Sequence, residues 1–195
     1  MVDIESSNTC RVIRKTLWIG SLIPRRILTL IAYPMGLIWY IFDRRHRHIA
    51  FDNMMKAFSG DITPSRCRRL VKANFIQLSR VALELPALLR LNAKNMDAYV
   101  EFSGEEHLKA ALAKGKGVLF FTAHLGNWEL MALATPLKFN FPVHVMARPL
   151  DHQPMDAVLS EVRTRTGNKL IDKDNSAGHL RGLLRQNQLL SLIHI

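Results

Sequence analysis

The text GVLFFTAHLGNWEL, residues 117–130, sets a histidine and a carboxylate five positions apart, His124 and Glu129, just after a short apolar run. An imidazole can take a proton from a hydroxyl when a carboxylate holds its tautomer and balances the imidazolium, so the pair suits general-base chemistry. On one continuous helix the two would not share a face, because five residues leave an offset of about 140°. With His124 at a strand end and Glu129 in the first turn of a helix, the intervening LGNW can fold them together. Gly126 permits the tight bend, and the N–H groups that open a helix offer donors to an oxyanion or a phosphate. Serine and cysteine are missing from this corner, which leaves the base to act directly on a substrate hydroxyl. Alone, this HX4E motif is a weak signal, since a histidine at a strand end is more often a hydrogen-bonded structural group.

The elements that must position this corner read as an α/β fold, mainly a parallel sheet flanked by helices. Val118–Phe121 is too apolar for an exposed edge and reads as an interior strand, and in open α/β sheets ligands bind beyond the carboxyl ends of the strands. Upstream, AYVEFSG predicts a strand, EEHLKAALAKG a helix and KGKG the turn into the central strand, a succession that implies parallel pairing through a right-handed crossover. Downstream, GNWELMALATP predicts a short helix with Asn127 near its cap and Pro136 near its end. FPVHVMARP then reads as a strand, QPMDAVLSEVRTRTG as a helix closed at Gly167, NKLID as a strand, SAGHLRGLLRQN as a helix, and QLLSLI as the start of a further strand. His144, inside an apolar strand, reads as structural, and His46, His48, His107 and His179 as surface groups. Cys10 and Cys67 are too few and too scattered for a disulfide framework or a zinc site, and no metal is expected.

The first half of the chain carries the charge. Of 27 Lys and Arg against 16 Asp and Glu, residues 1–100 hold sixteen and seven. Such a balance fits nucleic acid or an anionic membrane surface, and the neighbours of the charges decide between them. From Leu17 to Phe42 the chain is almost wholly apolar, with Trp18, Tyr33, Trp39 and Tyr40 along it. Arg25, Arg26, Arg44, Arg45 and Arg47 are placed to reach headgroups. Ile27–Phe42 is shorter than the roughly 20 residues of a spanning helix, and Pro34 and Gly36 should bend it, so either a tilted span or an in-plane helix is expected. The organisation expected is an N-terminal segment and membrane-anchoring helix over residues 1–48 and a catalytic domain over 49–195. A basic helix should begin at Thr63, its N-cap, with Pro64 at the first helical position. Aromatic residues are not interleaved with the arginines as stacking platforms, so no nucleic acid partner is expected.

The stretch VEFSGEEHLKAALAKGKGVLFFTAHLGNWELMA closely resembles the bacterial late lipid A acyltransferases, the lauroyl and myristoyl transferases of the lysophospholipid acyltransferase superfamily. The similarity runs forward through MARPLDHQPMDAVLSEVRTRTGNKLI and, more loosely, back through FDNMMKAFSG to the anchor. The resemblance implies transfer of a fatty acyl chain from a thioester, on acyl carrier protein or coenzyme A, to a hydroxyl of a lipid A precursor or related glycolipid. It implies the bacterial inner membrane, a cytoplasmic catalytic face, anionic membrane lipid as a partner and no cofactor besides the thioester co-substrate. His124 would be the general base and Glu129 its orienting carboxylate. Arg163, with Arg148 and the near-equivalent Arg165, would meet an acceptor or carrier phosphate, and Asn127 and Trp128 match the family's NWE text. A glycerolipid or mannoside acceptor, or a non-catalytic membrane-binding form of the fold, is the alternative. Family members continue into a third block, commonly Asp-Gln after a strand and Phe-Gly further on. In this chain LRQNQLLSLIHI stands where that block should begin, so a C-terminally truncated chain with an incomplete acceptor pocket is expected.

Overall fold

The computed structural model of the chain describes residues 7–172 and 176–193. The first six residues of the expected 1–48 segment, and His194 and Ile195 of the closing SLIHI, lie outside the described residues. Two compact units are present, one of residues 22–87 and one of residues 1–21 with 88–195. The first described element, α1 (Asn8–Gly20), belongs to the second of these.

The unit 22–87 is helical: α2 (Arg25–Phe42), α3 (Arg44–Ala57) and α4 (Pro64–Glu84). α2 runs as one continuous helix through Pro34 and Gly36. Gly36 also serves packing. Leu28, Ala32 and Gly36, four residues apart, form the buried stripe of α2, and a Cβ added at Gly36 would lie 2.5 Å from the Cα of Ile76 on α4. The turn comes at Asp43, where α2 and α3 meet at 92° and the Asp43 carboxylate caps α3 by accepting from the His46 N–H at 3.0 Å. Cys67, Val71 and Phe75 of α4 form the core of the unit, with the rings of Trp39 and Tyr40 edge-on to Phe75 at 5.4 and 5.7 Å. Thr63 caps α4 through the Arg66 N–H, with Pro64 at its start, as the sequence predicts.

The other side of α2 is apolar and exposed, at Leu30, Ile38, Ile41 and Phe42 among others. No single described helix is long and apolar enough to cross a membrane, so the anchoring helix expected from the sequence is not present as a single span. The bent pair α2–α3 meets the length and composition of a span only when its two arms are taken together.

In the larger unit, α5 (Glu105–Leu112) leads into β1 (Val118–Thr122). There follow α6 (Trp128–Phe139), β2 (Val143–Ala147), α7 (Gln153–Thr164), β3 (Lys169–Asp172), α8 (Ser176–Arg185) and β4 (Leu189–Ile193). The strands are all parallel in the order β1-β4-β2-β3, so both β1-to-β2 and β3-to-β4 connections cross over a neighbour. Leu108, Val143, Val145 and Leu189 make the core of one face, and Ile171, Leu183 and Leu190 that of the other. Docked on α7, α1 pairs Arg14 with Glu161 and points the buried Cys10 thiol at the Pro154 carbonyl, 3.5 Å away. The Arg14 guanidinium holds the Glu161 carboxyl below its usual range. His144 is buried in β2, and that burial, more than any neighbouring charge, favours its neutral imidazole.

Two expectations are corrected. AYVEFSG forms no strand: Met96–Ala98 is a single 3-10 turn, and residues 99–103 join no ladder. Within this stretch Phe102 packs its ring edge-on to Phe139 at 5.7 Å, so it anchors a connection by side-chain packing. Among the described strands β1 is an edge, paired only with β4, and not an interior strand. Val118 and Phe120 pack into the core, while Leu119 and Phe121 on the opposite face stay exposed, at 39% and 73%.

The close crossing at Gly36 gives a signed prediction. Helix propensity alone favours Gly36→Ala by about 1 kcal/mol. The 2.5 Å approach to backbone at Ile76 should reverse this, giving a net loss of about 2 kcal/mol. A lower urea midpoint for the variant is the expected result, and an unchanged or raised midpoint would show that α2 and α4 separate freely.

Candidate active site

β1 delivers the chain to the carboxyl edge of the sheet at Thr122, and residues 123–127 turn it into α6. The turn is built from local requirements. Gly126 sits at φ 64°, in the left-handed region that suits glycine. Asn127 then caps α6, its Oδ1 accepting from the Leu130 N–H at 3.0 Å, one of the donors that a helix start leaves without a partner. Asn127 therefore shapes the corner. His124 lies on the exposed part of this turn, and its ring meets that of Trp128 edge-on, with centroids 5.0 Å apart.

Glu129, one residue into the first turn of α6, is buried. Its carboxylate takes a two-pronged ion pair from Arg163 in the last turn of α7, with Nε to Oε2 at 3.0 Å and Nη2 to Oε1 at 2.5 Å. A planar guanidinium matches a carboxylate at both oxygens, and charge on both partners strengthens each hydrogen bond. The direct His124–Glu129 hydrogen bond that the spacing suggested is absent. Glu129 faces Arg163, and the guanidinium expected to meet a substrate phosphate is bound to it.

These side chains share one cavity of about 180 Å³, with His124, Trp128, Glu129, Arg148 and Arg163 on its polar side and Val145, Leu150 and Leu170 among its apolar walls. Arg148, just past β2, is exposed and reaches Asp151 only at 3.5 Å, so its charge is available at the rim. Arg165 lies apart from the cavity. Its Nη1 donates to the carbonyls of Leu88 and Leu91, both at 2.9 Å, which ties the end of α7 to the chain before α5.

A residue that the sequence reading missed completes the arrangement. Asn168, buried just before β3, donates through Nδ2 to the carbonyls of Ala132 on α6, at 2.9 Å, and of Arg163, at 3.0 Å. It thus fastens the helix that carries Glu129 to the backbone that carries Arg163, and it lines the same cavity. The only signal available was its place after Gly167, where a polar residue entering a buried strand must find partners. Among the described residues, no group of three or more His, Cys, Asp and Glu side chains converges as a metal site would.

A family profile described as bacterial lipid A biosynthesis acyltransferase matches residues 12–193, nearly the whole chain. The chain belongs to that family. No individually curated protein matches it significantly. An acyltransferase of this family requires an acyl donor and a lipid acceptor, and the corner between β1 and α6 brings an imidazole, a rim guanidinium and an apolar wall to one cavity.

The Glu129–Arg163 pair should carry much of the local stability, because removing one partner strands the other charge away from water. Arg163→Gln is expected to cost about 3 kcal/mol in urea unfolding, whereas Arg148→Gln, at an exposed position, should cost less than about 0.5 kcal/mol. Equal small losses would mean that the pair contributes no more than a surface contact.

Proposed function

We propose that this family member transfers a fatty acyl chain from a thioester, carried on acyl carrier protein or coenzyme A, to a hydroxyl of a lipid A precursor or related glycolipid. The observation that carries the reading is the placement of His124 on the same cavity as the buried Glu129–Arg163 pair, in a chain of this family. His124 accepts the proton of the acceptor hydroxyl as the oxygen adds to the thioester carbonyl. A carbon–oxygen bond forms, the carbonyl π electrons pass to oxygen, and the tetrahedral adduct then expels the thiolate, which takes the proton back from the imidazolium. The N–H groups of Trp128 and Glu129, which have no acceptor within the helix, are candidates to meet the oxyanion.

Glu129 acts as a positioning residue. Held by Arg163, it fixes the first turn of α6, and Trp128 on that turn meets the His124 ring edge-on. Arg148 is the cation for a phosphate of the acceptor or of the carrier's phosphopantetheine arm. The inner membrane, with a cytoplasmic catalytic face, is the proposed location. Its supports are the exposed apolar side of α2 and the eleven Lys and Arg against four Asp and Glu in residues 22–87.

The test replaces His124 with alanine and measures transfer from acyl carrier protein and coenzyme A thioesters to a lipid A precursor, beside liposome binding. His124 is exposed, so folding should be unaffected. The expected result is a fall in kcat/KM of about 10³-fold, within the range for loss of a general base, with liposome binding intact. Transfer that persists without His124 would remove the base from the mechanism. Liposome binding by a chain that transfers no acyl group from either donor would favour a membrane-binding form of the fold.

A further inference from the structure

The helical unit 22–87 contains a cavity that shares no lining residue with the one at His124. It measures about 250 Å³ and is bounded by Tyr40 at the end of α2, Arg47, His48 and Phe51 on α3, and Arg68 and Val71 on α4. Val71 is buried and the rings of Tyr40 and Phe51 are half-buried, so the lining is largely apolar, yet three of the six side chains are basic and none is acidic.

Each basic group is oriented. The Arg47 Nη1 donates to the carbonyls of Tyr40 and Ile41, at 2.8 and 3.3 Å, and its Cζ lies 5.1 Å from the Tyr40 ring centroid. His48 Nδ1 is 2.7 Å from the Arg44 carbonyl, which makes Nδ1 the donor and leaves Nε2 as the outward atom. Arg68 rests over the Phe51 ring at 5.9 Å, and among the described residues its guanidinium has no hydrogen-bond acceptor or ion-pair partner. None of the four acids in the unit lines the cavity: Asp43 is held by His46 and Trp39, Glu84 by Arg25, and Asp52 and Asp61 make no ion pair among the described residues.

Guanidinium groups lying on aromatic faces around an apolar hollow suit an anion that brings hydrocarbon with it. A free inorganic anion would gain nothing from Tyr40, Phe51 and Val71. We propose that this cavity binds the phosphate head of an anionic lipid, with Arg68 and the remaining donors of Arg47 on the phosphate and the two rings against the adjoining ester and methylene groups. The acyl tails remain outside, where Ile41 and Phe42, next in the chain to Tyr40, are 57% and 79% exposed. This site stands whether or not His124 transfers an acyl chain.

The experiment titrates the full chain with dihexanoyl phosphatidic acid below its micelle threshold, and in parallel with inorganic phosphate. It then compares vesicles of phosphatidylcholine with and without phosphatidylglycerol. Arg68→Gln removes the guanidinium, and Arg69→Gln removes an exposed neighbour that does not line the cavity. Saturable phosphatidate binding is expected, weakened about tenfold by Arg68→Gln and less than about twofold by Arg69→Gln, with the same order for anionic vesicles. Equal losses in the two variants would reduce the effect to diffuse surface charge. Inorganic phosphate binding as tightly as phosphatidate would make this a simple anion site, and failure of phosphatidate to saturate would remove the site altogether.

Discussion

A buried carboxylate must be matched where it stands, and in this protein Arg163 matches Glu129. Glu129 enters the interior because Asn127 starts α6 one residue before Trp128, which turns the first helical turn inward. Taking that charge from water would cost several kcal/mol if it had no partner. The guanidinium at the end of α7 answers both oxygens, so the start of one helix and the end of another are held in a single geometry. The cavity at the carboxyl edge of β1 and β2 has its shape because these two helix ends cannot separate without stranding a charge.

The other features of the site follow from that junction. Asn168 adds neutral hydrogen bonds to the backbone on both sides of it, so side chain and main chain are fixed together. His124 itself lies on an exposed turn, and its ring contact with Trp128 links it to the start of α6. For the base proposed for acyl transfer, firm support beneath an exposed imidazole is a sound arrangement, because positional error costs rate. Arg148 adds a positive charge at the rim without burying it.

Much of this was legible in the sequence because it rests on local rules. The parallel α/β order, the cap at Asn127, the bend at Gly126, and the cap at Thr63 with Pro64 all follow from residue type and position. The motif text also named the family. What could not be read were choices made by residues distant in the chain. Whether Glu129 would meet His124, five residues away, or Arg163, 34 residues away, depends on how α6 and α7 pack. Arg163 and Arg165 are indistinguishable by composition, yet one reaches the carboxylate and the other the carbonyls of Leu88 and Leu91. AYVEFSG was misread for the same reason: its pattern implied a strand, whereas Phe102 within it is held by a ring across the fold, and the close approach of Gly36 to α4 was equally out of reach.

The central claim is that Glu129 and Arg163 act as one unit in aiming His124. The most direct test is a double-mutant cycle of Glu129→Gln, Arg163→Gln and the pair together, read as the single-turnover rate of acyl transfer from a carrier-linked thioester. Two residues that act only through each other should give a double variant no slower than the slower single one, with a coupling energy of about 2 kcal/mol. Losses that simply add would contradict the account, because Arg163 would then serve the reaction independently of Glu129.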